Sequence, residues 1–438
     1  MAELQPFPRV LVLCDEPINR IGGGGVTMGN LFREWPPDAL AQVWAHHRFE
    51  IDADVCPNYL RLGAHSIPGD GRVIPDFIKR RRDLVKRLRT FVRPGIKLDY
   101  QQVLDWARAF QPEVIYSQPT PYPMYTWWLP RWLARDLGAP LVNHVMDDWP
   151  RAVEPEWLPG VRQLLRLFLK RELDRMFAVA ARNLVISEQM AAEYTNRYGH
   201  SFTSFHNAIN LAEWAEPRQR YAAPEGPFRV VYLGALADNM QVLSLRDVAQ
   251  VISALAEQGV PINLTVYTGE IYQDYFRQYL GGLTAVSHGG RVEREDLCCH
   301  LAAADLLVVP INFDERSLLM NQYSMPTKVP EYMASGTPVL VYGPTHVPPV
   351  AYARDAGWGY VVDQPDQQRL ATALRELLSS ESLRQQLGKR GRELALRNHD
   401  AQQILADFRE TLSLAAQHGQ AAALNQRSAT SLAQREGM

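Results

Sequence analysis

The sequence predicts an α/β protein made of two doubly wound parallel-sheet domains, and three features predict it. Short apolar runs alternate with amphipathic helical patterns along most of the 438 residues. Runs that are apolar throughout, rather than at every second position, suit strands covered by helices on both faces. The rhythm also stops once and restarts across a polar, proline-bearing stretch, and the chain is too long for one ordinary core.

The first series of strand candidates is Arg9–Cys14 (RVLVLC), Val114–Ser117 (VIYS), Pro140–His144 (PLVNH) and Asn183–Ser187 (NLVIS). The second is Phe228–Leu233 (FRVVYL), Ile262–Tyr267 (INLTVY), Asp305–Pro310 (DLLVVP) and Pro338–Val341 (PVLV). The break between them places one Rossmann-like domain at 1–208, a linker at 209–224 and a second domain at 225–399. From Asp366 the pattern is helical, and a C-terminal helix over 400–417 is expected to complete the first domain. The remainder, 418–438, is rich in Ala, Gln and Ser without a clear apolar face, and disorder is expected there.

Composition excludes several classes. A net charge of −2 gives no reason to expect a nucleic-acid partner. The four cysteines, Cys14, Cys56, Cys298 and Cys299, lack zinc spacing and read as reduced thiols. The N-terminal apolar run is short for a signal peptide, and no stretch reaches the roughly 20 apolar residues of a membrane span. A cytoplasmic protein is therefore expected.

Chemistry-bearing residues gather where strands end. Gly22 to Gly25 follow the first strand and precede a helix expected to start near Val26. Bare glycine N–H groups at a helix start suit an anion, although neither G-x-G-x-x-G nor a Walker lysine is present. His144 closes its strand, with Asp147 and Asp148 just beyond and Tyr122 in the neighbouring YSQPTPYP segment. These suit polar recognition or proton handling; the plainer alternative is a helix cap and a satisfied loop histidine. No second His or Cys stands at ligand spacing, so no metal is expected. Ser187 is placed to cap the next helix. In the second half Gly234, Gly269 and the Gly289–Gly290–Arg291 run each follow a strand. Singly each is a tight turn; together they outline a cleft.

Lys328 and Glu331 stand three apart, on one face of a helix. A lysine suits a phosphate, and a carboxylate accepts two hydroxyls, so the pair suits a diphosphate-linked ribose. The alternative is a solvated salt bridge. Gly336, Thr337 and Pro338 end that helix and start the next strand.

These segments together resemble the retaining glycosyltransferases of the GT-B fold, family four, over nearly the whole chain. The segments are the glycine-rich loop, VISEQM with YTNRYG and HNAIN, YLGAL, HGGRVEREDL with LAAADLLVVP, and PTKVPEYMASGTPV. The last is the most specific, matching a P-x-K-x-x-E-Y-M-A-x-G-x-P-V block. The resemblance implies two Rossmann-like domains facing a central cleft, a nucleotide diphosphate sugar held by the second domain, an acceptor held by the first, and no metal or other cofactor. It implies that Glu331 binds the ribose, Lys328 lies near the diphosphate and His144 sits beside the transferring sugar. Gly23, Gly24, Gly25, Gly234, Gly269, Gly290, Arg291, Tyr323 and Ser324 would contact the donor. Asp147, Asp148 and Tyr122 would contact the acceptor. The chain departs from the family where Tyr323, with Ser324 next, replaces a frequent glutamate, where ADNMQ replaces a lysine segment, and where HNAIN replaces NG-x-D.

The implied activity is transfer of a sugar to a hydroxyl of a glycan or lipid-linked acceptor, in bacterial surface polysaccharide synthesis. Two alternatives are a non-catalytic protein of this fold that binds nucleotide sugar or a partner enzyme, and a sugar-nucleotide epimerase. The segment Ile78 to Lys97 interleaves nine Lys and Arg side chains with Leu84, Val85, Leu88 and Phe91 at helical spacing, and 161–177 is a milder version. Such a helix suits an anionic lipid surface at the inner face of the membrane, or simply packs its apolar stripe inward. It lacks the stacking aromatics of a nucleic-acid site.

Overall fold

The structure, a computed structural model, describes residues 7–19, 23–45, 50–64, 96–97, 100–120, 125–152, 159–214, 221 and 225–436. The chain forms two compact units, Met1–Phe205 with Leu405–Met438, and His206–Ile404.

The first unit contains β1 (Val10–Leu13), β2 (Leu40–Trp44), β3 (Asn58–Arg61), β4 (Gly63–Ala64), β5 (Ile96–Lys97), β6 (Val114–Ser117), β7 (Leu141–Val145), β8 (Arg182–Val185) and β9 (Phe202–Ser204). Strands β4 and β5 form a separate antiparallel pair. The other seven form one parallel sheet in the order β3-β2-β1-β6-β7-β8-β9. Chain direction across the sheet reverses between β1 and β6, which opens a crevice at their carboxyl ends. Alternate residues of each strand bury on opposite faces. Leu11, Leu13 and Ile115 pack on Val103, Leu104, Leu129 and Leu133 of two helices, Tyr100–Phe110 and Tyr125–Leu137. Tyr116, one residue along from Ile115, instead meets Phe32 and Phe408, with ring centroids 5.2 and 5.9 Å away. Phe408 comes from the C-terminal helix, so the end of the chain completes the core of the first unit.

The second unit contains β10 (Phe228–Leu233), β11 (Ile262–Tyr267), β12 (Val286–Gly290), β13 (Leu306–Pro310), β14 (Val339–Tyr342) and β15 (Tyr360–Val362). They form one parallel sheet in the order β12-β11-β10-β13-β14-β15, with its reversal between β10 and β13. Val230 and Tyr232 enter one core and Val231 the other, as double burial requires.

The eight strand candidates all lie on observed strands, with ends shifted by up to two residues. The sequence reading misses β2, β3, β9, β12 and β15, and the short pair β4 and β5. In β2 the run LAQVW is interrupted by Gln42, which is fully buried because it accepts from the Ile18 N–H (3.2 Å) and donates to the Cys14 sulfur (2.7 Å). Strand β12 ends in two glycines at the sheet edge, where β-propensity is low. The glycine-rich helix begins at Gly23 rather than near Val26. The C-terminal helix runs Ala401–Glu436, past the point where disorder is expected, because Ala, Leu, Gln and Arg are strong helix formers without needing an apolar stripe. Residues 78–95 lie outside the described residues. No helix among the described residues is long and apolar enough to cross a membrane. The four cysteines are free.

One glycine sets the position of the Lys328–Ala334 helix. A Cβ at Gly388, in the helix Glu381–Asn398, would overlap the Gly336 carbonyl oxygen and lie 2.7 Å from the Tyr221 ring. Gly391, one turn on, has its nearest such neighbour at 3.6 Å. Gly388→Ala should therefore lower stability by roughly 1–3 kcal/mol. Gly391→Ala should be neutral or slightly stabilising, since alanine favours a helix interior by about 1 kcal/mol over glycine. Thermal unfolding of the two variants side by side checks both.

Candidate functional site

A polar constellation of the second unit lies at the carboxyl end of β10, beside the sheet's reversal. Tyr332 of the helix Lys328–Ala334 clasps that strand end: its hydroxyl accepts from the Leu233 N–H at 2.8 Å and donates to the Leu233 carbonyl at 3.1 Å. The clasp brings Lys328 over Gly234. Lys328 Nζ donates to the Tyr232 hydroxyl at 2.8 Å and lies 4.0 Å from the centre of that ring. The Tyr232 hydroxyl in turn donates to the Ala235 carbonyl at 2.6 Å. A Cβ at Gly234 would stand 2.6 Å from Lys328 Nζ, and its φ of +148° disfavours any side chain. The Asn207 side chain donates to the Thr327 carbonyl at 2.9 Å and fixes the start of the helix.

Glu331, one turn along, is buried, with Arg294 Nη1 4.0 Å from its Oε1. Arg294 also reaches Glu213 at 3.5 Å. Burial raises the Glu331 carboxyl from its ordinary range to about 7, against the pull of Arg294 and Lys328. Burial lowers the Lys328 amine to about 7, against the pull of Glu331. Two groups poised so far from their solution values mark a site that gains when a ligand supplies the missing charge or hydrogen bonds. Here a phosphate would stabilise the ammonium and a diol the carboxylate.

The other candidates of this unit spread along the same sheet edge. Gly269 and Gly290 follow β11 and end β12, linked by the Thr268 N–H to the Gly290 carbonyl at 2.9 Å. Arg291 is exposed and pairs with Glu293 at 3.2 Å. The Tyr323 hydroxyl accepts from Gln322 at 3.1 Å. The buried Ser324 hydroxyl donates to the Met320 carbonyl at 2.8 Å, closing the preceding helix. Arg294 and Tyr232 were missed as site residues. Arg294 stands in the quoted VEREDL run at a helix start, and its charge was the available signal.

In the first unit two of the candidates are buried and bonded within the fold. His144 does not line an open surface. It is fully buried on β7, with Nδ1 2.6 Å from the Tyr116 hydroxyl and Nε2 3.1 Å from the Phe205 carbonyl. The carbonyl can only accept, so Nε2 carries the proton and Nδ1 accepts from Tyr116. Burial lowers its pKa to about 4, which keeps the ring neutral. It is a positioning group inside the core. Asp148 is likewise unavailable to an acceptor, being fully buried in a two-point ion pair with Arg197 (2.8 and 3.1 Å) and accepting from Tyr194 at 2.9 Å. Ser187 caps its helix, accepting from the Met190 N–H at 3.2 Å. Tyr122 lies outside the described residues.

The glycine-rich loop holds an internal ligand. The Glu16 carboxylate accepts from the Gly25 N–H and, at 3.1 Å, from the Asn19 amide. A Cβ at Gly25 would overlap that amide and the Pro17 carbonyl, so only glycine closes the turn. Gly24 lies against Gln118 and Glu16, while Gly23 faces open space among the described residues. Asp147 is half-buried and close enough to Glu16 to raise its pKa. The anion expected at Gly23 to Gly25 is thus met, at least in part, by the chain's own carboxylate.

Residues 227–380, within the second unit, match the family model described as glycosyl transferases group 1. HepE from Anabaena, solved in complex with UDP and glucose, matches with 15% identity and a TM-score of 0.59, over 93% of this chain and 99% of that chain. Sucrose-phosphate synthase from Thermosynechococcus elongatus matches with 17% identity and a TM-score of 0.58, over 96% and 100%. The α,α-trehalose 6-phosphate synthase of Burkholderia multivorans matches with 14% identity and a TM-score of 0.60, over 95% and 100%. At these identities the likeness establishes the fold, that of the GT-B glycosyltransferases. No curated protein matches the chain by sequence.

Glu331 gives the site a pH signature. Its folded pKa of about 7 lies above the solution value, so folding favours the protonated form. The stability this contributes is complete below the solution value and is lost as pH rises through about 7. E331Q removes the titration. Stability of the wild type should fall between pH 5 and pH 8 by more than that of E331Q, measured by urea unfolding at both values.

Proposed function

We propose that the protein is a retaining glycosyltransferase, moving a sugar from a nucleotide diphosphate sugar to a hydroxyl of a glycan or lipid-linked acceptor. The observation that carries this reading is the Lys328–Glu331 pair, seated over Gly234 within the matched segment. HepE, which shares the fold, was solved with UDP-glucose. Glu331 would accept the two ribose hydroxyls, and Lys328 would face the diphosphate. Negative charge grows on the diphosphate as its bond to the sugar breaks. A protonated Lys328 stabilises that charge and serves the role a divalent cation plays elsewhere, so the reaction needs no metal. Gly234 keeps the backbone low enough for the phosphates to approach. Gly269, Gly290 and Arg291, at neighbouring strand ends, would meet the far end of the nucleotide.

The acceptor is placed at a membrane surface, in surface polysaccharide synthesis on its cytoplasmic face. The basic sequence of 78–97 supports this. So does the helix Pro159–Val179, where Leu167 and Phe168 are 66% and 42% exposed beside the exposed Lys170 and Arg171. Two observations favour a non-catalytic reading: Tyr323 stands at the position of a family glutamate, and the Ser324 hydroxyl is committed to Met320.

A panel of nucleotides and nucleotide sugars, read by thermal stabilisation, tests the assignment. One nucleoside diphosphate should stabilise the wild type by roughly 2.7 kcal/mol at a hundredfold excess over its dissociation constant. Glu331→Ala should lose most of that. If no nucleotide stabilises either protein, the reading fails. Nucleotide binding with no product from any acceptor selects the non-catalytic reading, and conversion of the donor without acceptor selects an epimerase.

A further inference from the structure

The carboxylate assigned to the ribose shares its cation with a second acid. Glu331 is 8% exposed, and among the described residues no hydrogen-bond donor reaches its carboxylate. Arg294 stops 4.0 Å short, beyond hydrogen-bond length. An unrestrained arginine closes on a buried carboxylate with two bonds of about 2.8 Å. Arg294 is restrained from the other side: its Nη2 lies 3.5 Å from Glu213 Oε2, while its Nη1 faces Glu331. Glu213 is itself held. It sits in the short helical turn Leu211–Trp214, whose Trp214 shares a core with Ile209, and the Asn210 amide donates to its Oε1 at 3.3 Å. Arg294 opens the helix Arg294–Ala303, where a cation works against the helix dipole, so the helix itself gives no reason for an arginine there.

A half-exposed pair such as Arg294–Glu213 adds little to stability. Its effect is on place. One guanidinium between two carboxylates satisfies neither in full, and the buried one keeps its lone pairs for a ligand. We propose that Glu213 is a positioning residue for the nucleotide, holding Arg294 back from Glu331 so that the carboxylate can accept the ribose hydroxyls. The inference rests on the donor reading of Glu331, and it adds a residue that lies before the matched segment 227–380. Without Glu213, Arg294 closes on Glu331 and competes with the sugar's diol.

Titration of ADP, GDP, UDP and CDP, each beside its 2′-deoxy analogue, tests this on the full chain. For the nucleotide bound best, the wild type should favour the ribose form by roughly tenfold or more, as a lost hydrogen bond to a buried carboxylate requires. Glu213→Ala should abolish most of that preference by weakening the ribose form. In an Arg294→Met background the same substitution should leave the preference unchanged. A preference that Glu213→Ala keeps, or an equal loss of both forms, overturns this proposal alone, because a merely structural role weakens both alike. A wild type that binds no nucleotide, or binds one without ribose preference, overturns the donor assignment of Glu331 and this proposal with it.

A second readout needs no ligand. Lys328, Arg294, Glu213 and Cys298 face Glu331. The Glu213 charge raises the Glu331 pKa and Arg294 lowers it, so Glu213→Ala moves it from about 7 toward the solution value. Less stability is then lost as pH rises from 5 to 8, and urea unfolding of the variant should show a smaller fall than the wild type. An equal or larger fall would mean that Arg294 has not moved closer to Glu331, and would overturn the proposal.

Discussion

The Tyr332 hydroxyl holds the second unit's site together. It bonds both the N–H and the carbonyl of Leu233, at 2.8 and 3.1 Å, where β10 runs out of partners of its own. A strand end at a sheet reversal leaves backbone groups unpaired, and a buried unpaired group costs roughly 1–3 kcal/mol. The phenol removes that cost and fixes a seven-residue helix at one height above the sheet. Lys328 then falls over Gly234, and Glu331 falls inside the shell made by Arg294 and Glu213. The buried charges are unfavourable on their own account, and the surrounding core carries them. Gly388 and Gly336 on the far side let the helix Glu381–Asn398 press close and oppose any outward shift.

The first unit uses its charged residues differently. Arg197 and Asp148 are locked together, and His144 is neutral and bonded at both nitrogens. What remains at the sheet's reversal are acids and an amide.

How much of this the sequence disclosed follows from what interactions are local. The strands with continuous apolar runs, such as Phe228–Leu233, were legible because burial on both faces selects those residue types directly. The Ser187 cap was legible because its partner is three residues away. Lys328 and Glu331 were legible because helical spacing puts them on one face. Strand β2 was hidden by Gln42, whose burial depends on Ile18 and Cys14. Asp148 and His144 were read as site residues because their partners lie far along the chain. Arg197 is 49 positions from Asp148, and Phe205 is 61 from His144. Polar residues at strand ends look alike in sequence whether they meet a ligand or another part of the fold.

The most direct test of the account is the proton balance of nucleotide binding. Calorimetric titration of the best nucleoside diphosphate at pH 8, in two buffers of different ionisation enthalpy, measures it. With Lys328 held near 7, the free amine is mostly neutral at that pH, and a phosphate beside it restores the ordinary range. The account predicts net proton uptake on nucleotide binding, lost in Lys328→Met. Binding with no proton uptake, or with the same uptake in Lys328→Met, would mean that the diphosphate lies elsewhere.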